Sequence, residues 1–93
     1  MKIRLFPPFD KLGGDIVELS LPREMTLREF SATLAERFPG VLDFLPCSQR
    51  DSAALLENVF FVTNRENPAK LLHPTDTVRD EDFLQILPPF DGG

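Results

Sequence analysis

The sequence is poor in the side chains that build redox, metal and catalytic sites. Its single cysteine, Cys47, can form no disulfide within the chain, which is typical of a reducing cytoplasm. Its single histidine, His73, stands apart from other metal-ligand residues, so neither a zinc site nor a Cys47–His73 catalytic pair is expected. There is also no glycine-rich phosphate loop. We therefore expect no bound metal or cofactor, and no catalytic activity from the chain alone.

Basic residues and long apolar runs are also scarce. Ten Lys and Arg residues face fifteen Asp and Glu residues, a formal net charge of −5, which disfavours nucleic acid as a partner and favours basic protein surfaces. No run approaches the roughly 18 apolar residues that span a bilayer, and the N-terminus lacks the apolar segment of a signal peptide. A cytoplasmic location away from membranes is the expectation.

What the chain does contain suits one small domain covering residues 1–93. Hydrophobic residues make up 42% of it, and nine phenylalanines supply bulk to a core without tryptophan or tyrosine. Alternating residues predict strands over 2–6 and 16–21, joined as a hairpin by a short turn at Gly13-Gly14. Further strands are predicted over 58–63, 70–72 and 83–87, the stretch 70–72 being a brief edge strand.

One clear helix begins after Thr26. Thr26 and Glu29 have the spacing of a capping box, and Pro39-Gly40 ends the pattern. The apolar stripe on this helix predicts its core face: Leu27, Phe30, Leu34 and Phe38. Residues 41–57 give only weak signals, a helical turn near 41–45 and either a short helix or a loop over 49–56. The acidic residues 80–82 are expected to form a solvated corner.

The predicted order is β-β-α-β-β-β, an α+β fold with a mixed sheet of four or five strands. A single helix covers only one face of such a sheet, so the other face is wet or used for binding. Alternation places five residues on that face: Arg4, Phe6, Phe83, Gln85 and Leu87. We expect a docking patch there, with Phe90 just beyond it. The alternative is that residues 41–57 fold over it.

The last six residues carry the most specific signal. The segment 88–93 is expected to protrude as a tail, because Pro88-Pro89 fixes φ and removes two backbone donors directly after a strand. Gly92-Gly93 has no side chains to obstruct passage through a narrow channel. The only chemically usable group at such an end is the α-carboxylate of Gly93, so the tail predicts insertion into the active site of another protein. An inert, frayed end is the alternative.

These motifs together resemble the small subunit of molybdopterin synthase (MoaD type), within the MoaD/ThiS ubiquitin-like sulfur carriers. The resemblance covers the first strand, the capped helix, the strand end at Val62-Thr63-Asn64 and the acidic turn before the last strand. Its specific element is the closing motif Pro88-Pro89-x-x-Gly92-Gly93, in which the intervening residues are Phe90-Asp91. The resemblance implies a β-grasp fold.

The resemblance also implies a reaction cycle and two partners. An E1-like adenylyltransferase (MoeB/ThiF type) would use ATP to adenylate Gly93, which then becomes a thiocarboxylate. The large subunit of the synthase (MoaE type) would accept the tail and use its sulfur to build the dithiolene of molybdopterin or its tungsten counterpart. The implied functional residues are the terminal glycines, Gly92 and Gly93, and the following partner-binding residues: Phe6, Phe83, Leu87, Pro88, Pro89, Phe90 and Asp91.

Three other uses of the same chain stay open at this point. A ThiS-like carrier would supply sulfur for the thiazole of thiamin, which the Pro88-Pro89 stem disfavours. A ubiquitin-like modifier would join the activated Gly93 to lysines of other proteins. A plain interaction module would carry an inert tail.

Overall fold

The computed structural model describes residues 1–7, 9–45, 51–63 and 70–88. Within these ranges the strands are β1 (Lys2–Leu5), β2 (Ile16–Glu18), β3 (Met25–Thr26), β4 (Phe60–Thr63), β5 (Lys70–Leu71), β6 (Thr77–Val78) and β7 (Phe83–Leu87). The α-helices are α1 (Leu27–Arg37) and α2 (Ser52–Asn58), and two 3₁₀ helices span Phe9–Leu12 and Pro39–Phe44. None of the helices in the described ranges is long and apolar enough to cross a bilayer.

Five strands form a mixed sheet in the order β2-β1-β7-β4-β5. The last strand, β7, lies at its centre, parallel to β1 on one side and antiparallel to β4 on the other. β3 and β6 form a separate antiparallel pair. The predicted mixed sheet is confirmed, as is the assignment of 70–72 to an edge strand, which the structure limits to Lys70–Leu71.

Helix α1 begins as its capping box predicts. The Thr26 hydroxyl accepts a hydrogen bond from the Glu29 N–H at 3.2 Å, and the Glu29 carboxylate accepts one from the Thr26 N–H at 3.1 Å. The apolar stripe faces the sheet, and the ring of Phe30 meets the ring of Phe61 on β4 edge-on at 6.2 Å between centroids. Three of the four predicted stripe residues are buried, Leu27, Phe30 and Leu34, whereas Phe38 is partly exposed.

The weakly patterned segment 41–57 packs on the helix side of the sheet where the structure describes it, over 41–45 and 51–57. Its described parts contain the second 3₁₀ helix and α2, whose first turn is capped by the Asp51 carboxylate accepting from the Ala54 N–H at 2.9 Å. Val41, Leu45 and Leu55 are completely or almost completely buried in the same core as α1. The described residues of this segment therefore do not cover the opposite face of the sheet.

Two local predictions were wrong, and one strand pair was missed. β2 ends at Glu18 rather than residue 21, although Leu19 and Leu21 still enter the core. The β1–β2 connection is not a short turn, since it contains the 3₁₀ helix that buries Phe9 against Phe44, and Gly14 adopts a positive φ of 101°. The pair β3–β6 was not predicted, because two-residue strands leave almost no alternation to detect.

The acidic corner at 80–82 is structural rather than merely solvated. The Asp80 carboxylate accepts the Leu21 N–H at 2.8 Å and lies 3.2 Å from the α-ammonium of Met1. These interactions lower the pKa of Asp80, the Leu21 hydrogen bond being the larger cause. Asp82 is buried and accepts the Arg79 N–H at 2.9 Å. The turn thus joins the end of the β2 segment to the start of β7.

Candidate docking face and C-terminal tail

The sheet face opposite α1 presents its side chains in rows that follow the strand register. The middle row crosses all five strands, because Arg4 pairs with both Ile16 and Gln85, Gln85 pairs with Val62, and Val62 pairs with Leu71. At about 4.8 Å per strand this row is about 19 Å wide. It is apolar at both ends and carries its positive charge at Arg4.

An apolar row lies next to the point where β7 ends. Leu87 pairs with Phe60 across the β7–β4 ladder. Phe6 continues β1 beside them, with its N–H 3.4 Å from the Ile86 carbonyl oxygen. The third row, at the opposite end of the face, contains Lys2 between Glu18 and Phe83. The face therefore becomes more apolar toward the start of the tail.

The large hydrophobic residues that are exposed within the described ranges all lie on this face. Ile16 is 46% exposed, Phe60 41% and Leu71 46%, and each belongs to the middle or the apolar row. Clustered apolar side chains on one face of a small protein indicate a binding surface more often than isolated ones do. We call this surface the open face and define it by Ile16, Arg4, Phe6, Phe60, Val62, Leu71, Gln85 and Leu87.

Arg4 is held toward the apolar row by an aromatic contact. Its guanidinium carbon lies 5.5 Å from the centroid of the Phe6 ring, in the range of a cation–π interaction. In the part of the chain that the structure describes, Arg4 makes no ion pair with a carboxylate. The positive charge is thus placed among apolar groups without an opposite charge beside it.

The predicted partner-binding residues divide into a described and an undescribed group. Phe6 and Leu87 lie together in the apolar row, and Phe83 lies four residues before Leu87 on β7. All three are partly exposed, as is Pro88. The predicted residues Pro89, Phe90, Asp91, Gly92 and Gly93 lie outside the described residues. Their roles stay predictions.

Four members of the open face were missed from the sequence: Ile16, Phe60, Val62 and Leu71. Their strands were predicted, so alternation alone could have marked Phe60 and Val62 as opposite in direction to Phe61. The sequence does not indicate which strands are neighbours in the sheet. Only the strand order brings Leu71 and Ile16 into one row with Arg4.

The described residues contain no group of His, Cys, Asp and Glu side chains that could hold a metal ion. His73 is exposed, and its backbone N–H donates to Asp76 at 2.8 Å, which lowers the pKa of that carboxyl. The other half of the disfavoured pair, Cys47, lies outside the described residues.

Comparison with known proteins decides the family. The model of the ThiS family matches residues 3–93. The chain belongs to the ThiS family of ubiquitin-like sulfur carriers. No curated protein sequence matches this ThiS-family chain significantly.

A solved structure supports the fold of this ThiS-family chain. The crystal structure of SAMP1 from Haloferax volcanii superposes with a TM-score of 0.64 at 20% identity, over 100% of this chain and 98% of that one. At this identity the likeness is evidence for the fold alone, and it confirms the predicted β-grasp architecture. Family membership confirms the broader prediction of a ubiquitin-like sulfur carrier.

Proposed function

We propose that the chain is a MoaD-type sulfur carrier, the small subunit of a molybdopterin synthase. Its Gly93 carboxylate is adenylated by an E1-like enzyme, becomes a thiocarboxylate and donates sulfur to the dithiolene of molybdopterin or its tungsten counterpart. Membership of the ThiS family supports the carrier role. The Pro88-Pro89 stem supports the molybdopterin branch over the thiamin branch.

The observation that carries the proposal is the position of β7. This strand is paired on both sides, so its end at Leu87 is a fixed point in the centre of the sheet, beside the apolar row. Six residues follow it, and six residues span at most about 20 Å when extended. A partner that covers the open face would thus receive the carboxylate within about 20 Å of Leu87.

The chemistry requires activation because a carboxylate is a poor electrophile. Attack of the carboxylate oxygen on the α-phosphorus of ATP forms an acyl adenylate and releases pyrophosphate. Hydrosulfide then attacks the carbonyl carbon, the bond to AMP breaks, and a thiocarboxylate, AMP and a proton result. The absence of a side chain at residues 92 and 93 leaves that carbon open to the approach of both reactants.

Two protein partners follow from this cycle. Carriers of this family work with E1-like activating enzymes, and we propose an enzyme of the MoeB/ThiF type for this chain. The acceptor is proposed to be a large subunit of the MoaE type. We propose that both bind the open face in turn, since each must receive the same tail.

The test is sulfur transfer from a loaded carrier to defined acceptors. Carrier bearing a thiocarboxylate at Gly93 is mixed with the MoaE-type large subunit of the same organism and its sulfur-free pterin substrate. The proposal predicts a dithiolene product and return of the carrier to its carboxylate form. A carrier that ends at Gly92 provides the matched control and should yield no product.

Two other results would assign the tail differently. Sulfur transfer to a thiazole synthase, with none to the large subunit, would make the chain a thiamin sulfur carrier. Covalent products joining Gly93 to lysines of other proteins, formed with ATP and the activating enzyme, would make it a protein modifier. Either result would overturn the molybdopterin assignment while leaving the activation of Gly93 intact.

A further inference from the structure

The open face contains one charged side chain, Arg4, and an apolar partner that covered it would lose binding free energy by removing its water. Arg4 lies in the middle row between Ile16 and Gln85, and its guanidinium is held over the Phe6 ring at 5.5 Å. Phe6 belongs to the row beside the start of the tail. Any protein that receives the tail and covers this row must therefore remove water from the guanidinium.

Burying a charge without a partner costs several kcal/mol, whereas a facing carboxylate offsets that cost through charge-assisted hydrogen bonds. Within the described part of the chain, no carboxylate is ion-paired with Arg4. On the described strands, the acidic residue that shares this side of the sheet is Glu18, which belongs to the row farther from the tail and is paired in register with Lys2. We therefore assign the facing negative charge to the partner.

We propose that the E1-like activating enzyme presents a carboxylate to Arg4, inside an otherwise apolar contact with Phe6, Phe60 and Leu87. This inference rests on the proposed function, because it assumes that such an enzyme docks on the open face. What is new is the chemical group that the enzyme places against Arg4. The carrier has a net charge of −5, so the positive charge on its open face is opposite in sign to the chain as a whole. This difference helps the enzyme to distinguish the open face from the rest of the carrier.

Lys2 offers a matched control for Arg4. It lies on the same strand, on the same side of the sheet and two residues away, and its side chain is also exposed. Lys2→Glu and Arg4→Glu change the net charge of the carrier equally. Long-range electrostatic steering is therefore altered to a similar extent in both, and only the local contact differs.

The experiment measures ATP–pyrophosphate exchange by the activating enzyme of the same organism, with carrier concentration varied. We expect Arg4→Glu to raise the KM for the carrier at least about tenfold more than Lys2→Glu does, with little change in kcat. Arg4→Leu should also raise KM by about tenfold, because it leaves the enzyme carboxylate unpaired in an apolar contact. Thermal unfolding of all three variants verifies that each is folded.

The outcomes separate this inference from the proposed function. Without exchange by the wild-type carrier, the proposed function itself fails. With exchange by the wild type, equal KM values for Arg4→Glu and Lys2→Glu would overturn the inference. So would an unchanged or lower KM for Arg4→Leu, since this would indicate that the enzyme meets position 4 with an apolar surface.

Discussion

At the scale of single residues, two neighbours on β4 separate the core from the binding surface. Phe61 is 1% exposed and contacts Phe30 of α1, whereas Phe60, one residue earlier, is 41% exposed on the open face. The same side chain thus packs in the core at one position and is exposed on the open face at the next. Strand alternation is the reason, because successive side chains point to opposite faces.

Truncation of these two residues should have opposite consequences. We expect Phe61→Ala to lower the free energy of unfolding by about 3–5 kcal/mol, through lost burial and the cavity left behind. Phe60→Ala should lower it by only about 1 kcal/mol but should weaken binding of the activating enzyme. Urea unfolding and a binding titration measure both quantities. Similar losses of stability in the two variants would contradict the assignment of Phe60 to the open face.

Asp80 makes a pH-dependent contribution at the same scale. Its pKa is lowered in the folded chain, first by the Leu21 N–H and then by the Met1 ammonium. A lowered carboxyl pKa stabilises the fold above the ordinary value of 3.8, and the contribution is lost as the pH falls through the folded value. We expect Asp80→Asn to lower the melting temperature at pH 7.

The difference between Asp80→Asn and the wild type should shrink as the pH falls below about 4, because the carboxyl is protonated first in the unfolded chain and then, below its lowered pKa, in the folded chain. Glu81→Gln is the control, since Glu81 is exposed and adjacent and undergoes the same change of charge. Melting temperatures followed from pH 7 to acid measure the effect. A constant difference between Asp80→Asn and the wild type at every pH would exclude the carboxylate charge as its source.

At the scale of elements, the capping box of α1 determines where the main helix begins. Thr26→Ala removes the hydroxyl that accepts the Glu29 N–H, and we expect a loss of about 1 kcal/mol in the free energy of unfolding. Thr75→Ala, at an exposed loop position, is the control and should change stability little. Urea denaturation provides the comparison, and equal effects of the two substitutions would contradict the capping role.

Elements with strong local signals could be predicted from the sequence, and elements defined by distant pairing could not. The capping box of Thr26 and Glu29 and the alternation of β7 act within a few residues, so their chemistry is readable locally. The ladder β3–β6 joins Met25 to Val78 and has no local signature. The same limit applied to the site: Phe6 and Leu87 were predicted, whereas Ile16 and Leu71 required knowledge of strand order.

The turn at 80–82 illustrates why polar residues are harder to interpret than apolar ones. Three consecutive acidic residues are typical of a solvated corner, and the sequence carries no sign that Asp80 accepts an N–H of Leu21, 59 residues away. Apolar residues are driven to the core wherever it lies. Polar residues take their role from the particular groups that the fold brings beside them.

At the scale of the whole molecule, the fold places a paired central strand, an apolar open face and the start of a short tail side by side. The helices and the described parts of segment 41–57 are all on the opposite side of the sheet, so none of these elements covers the open face. The proposed function uses this arrangement, because it requires partners that bind the body of the chain and receive its tail.

Removal of Gly93 should separate folding from function. We expect the variant that ends at Gly92 to unfold at the same urea concentration as the wild type, since among the described residues the buried core extends no further than Ile86. It should not acquire sulfur. Circular dichroism and intact mass spectrometry measure the two properties on one sample, and a loss of stability comparable to that of Phe61→Ala would show that the tail is part of the core.

The most direct test of the carrier role is the intact mass of the wild-type chain after incubation with the activating enzyme, Mg-ATP and sulfide. A ThiS-family carrier should gain the mass difference between one sulfur and one oxygen, located at Gly93 by fragmentation, and should gain nothing when ATP is omitted. An unchanged C-terminal carboxylate, in the presence of an enzyme that loads its own known carrier, would contradict the central claim.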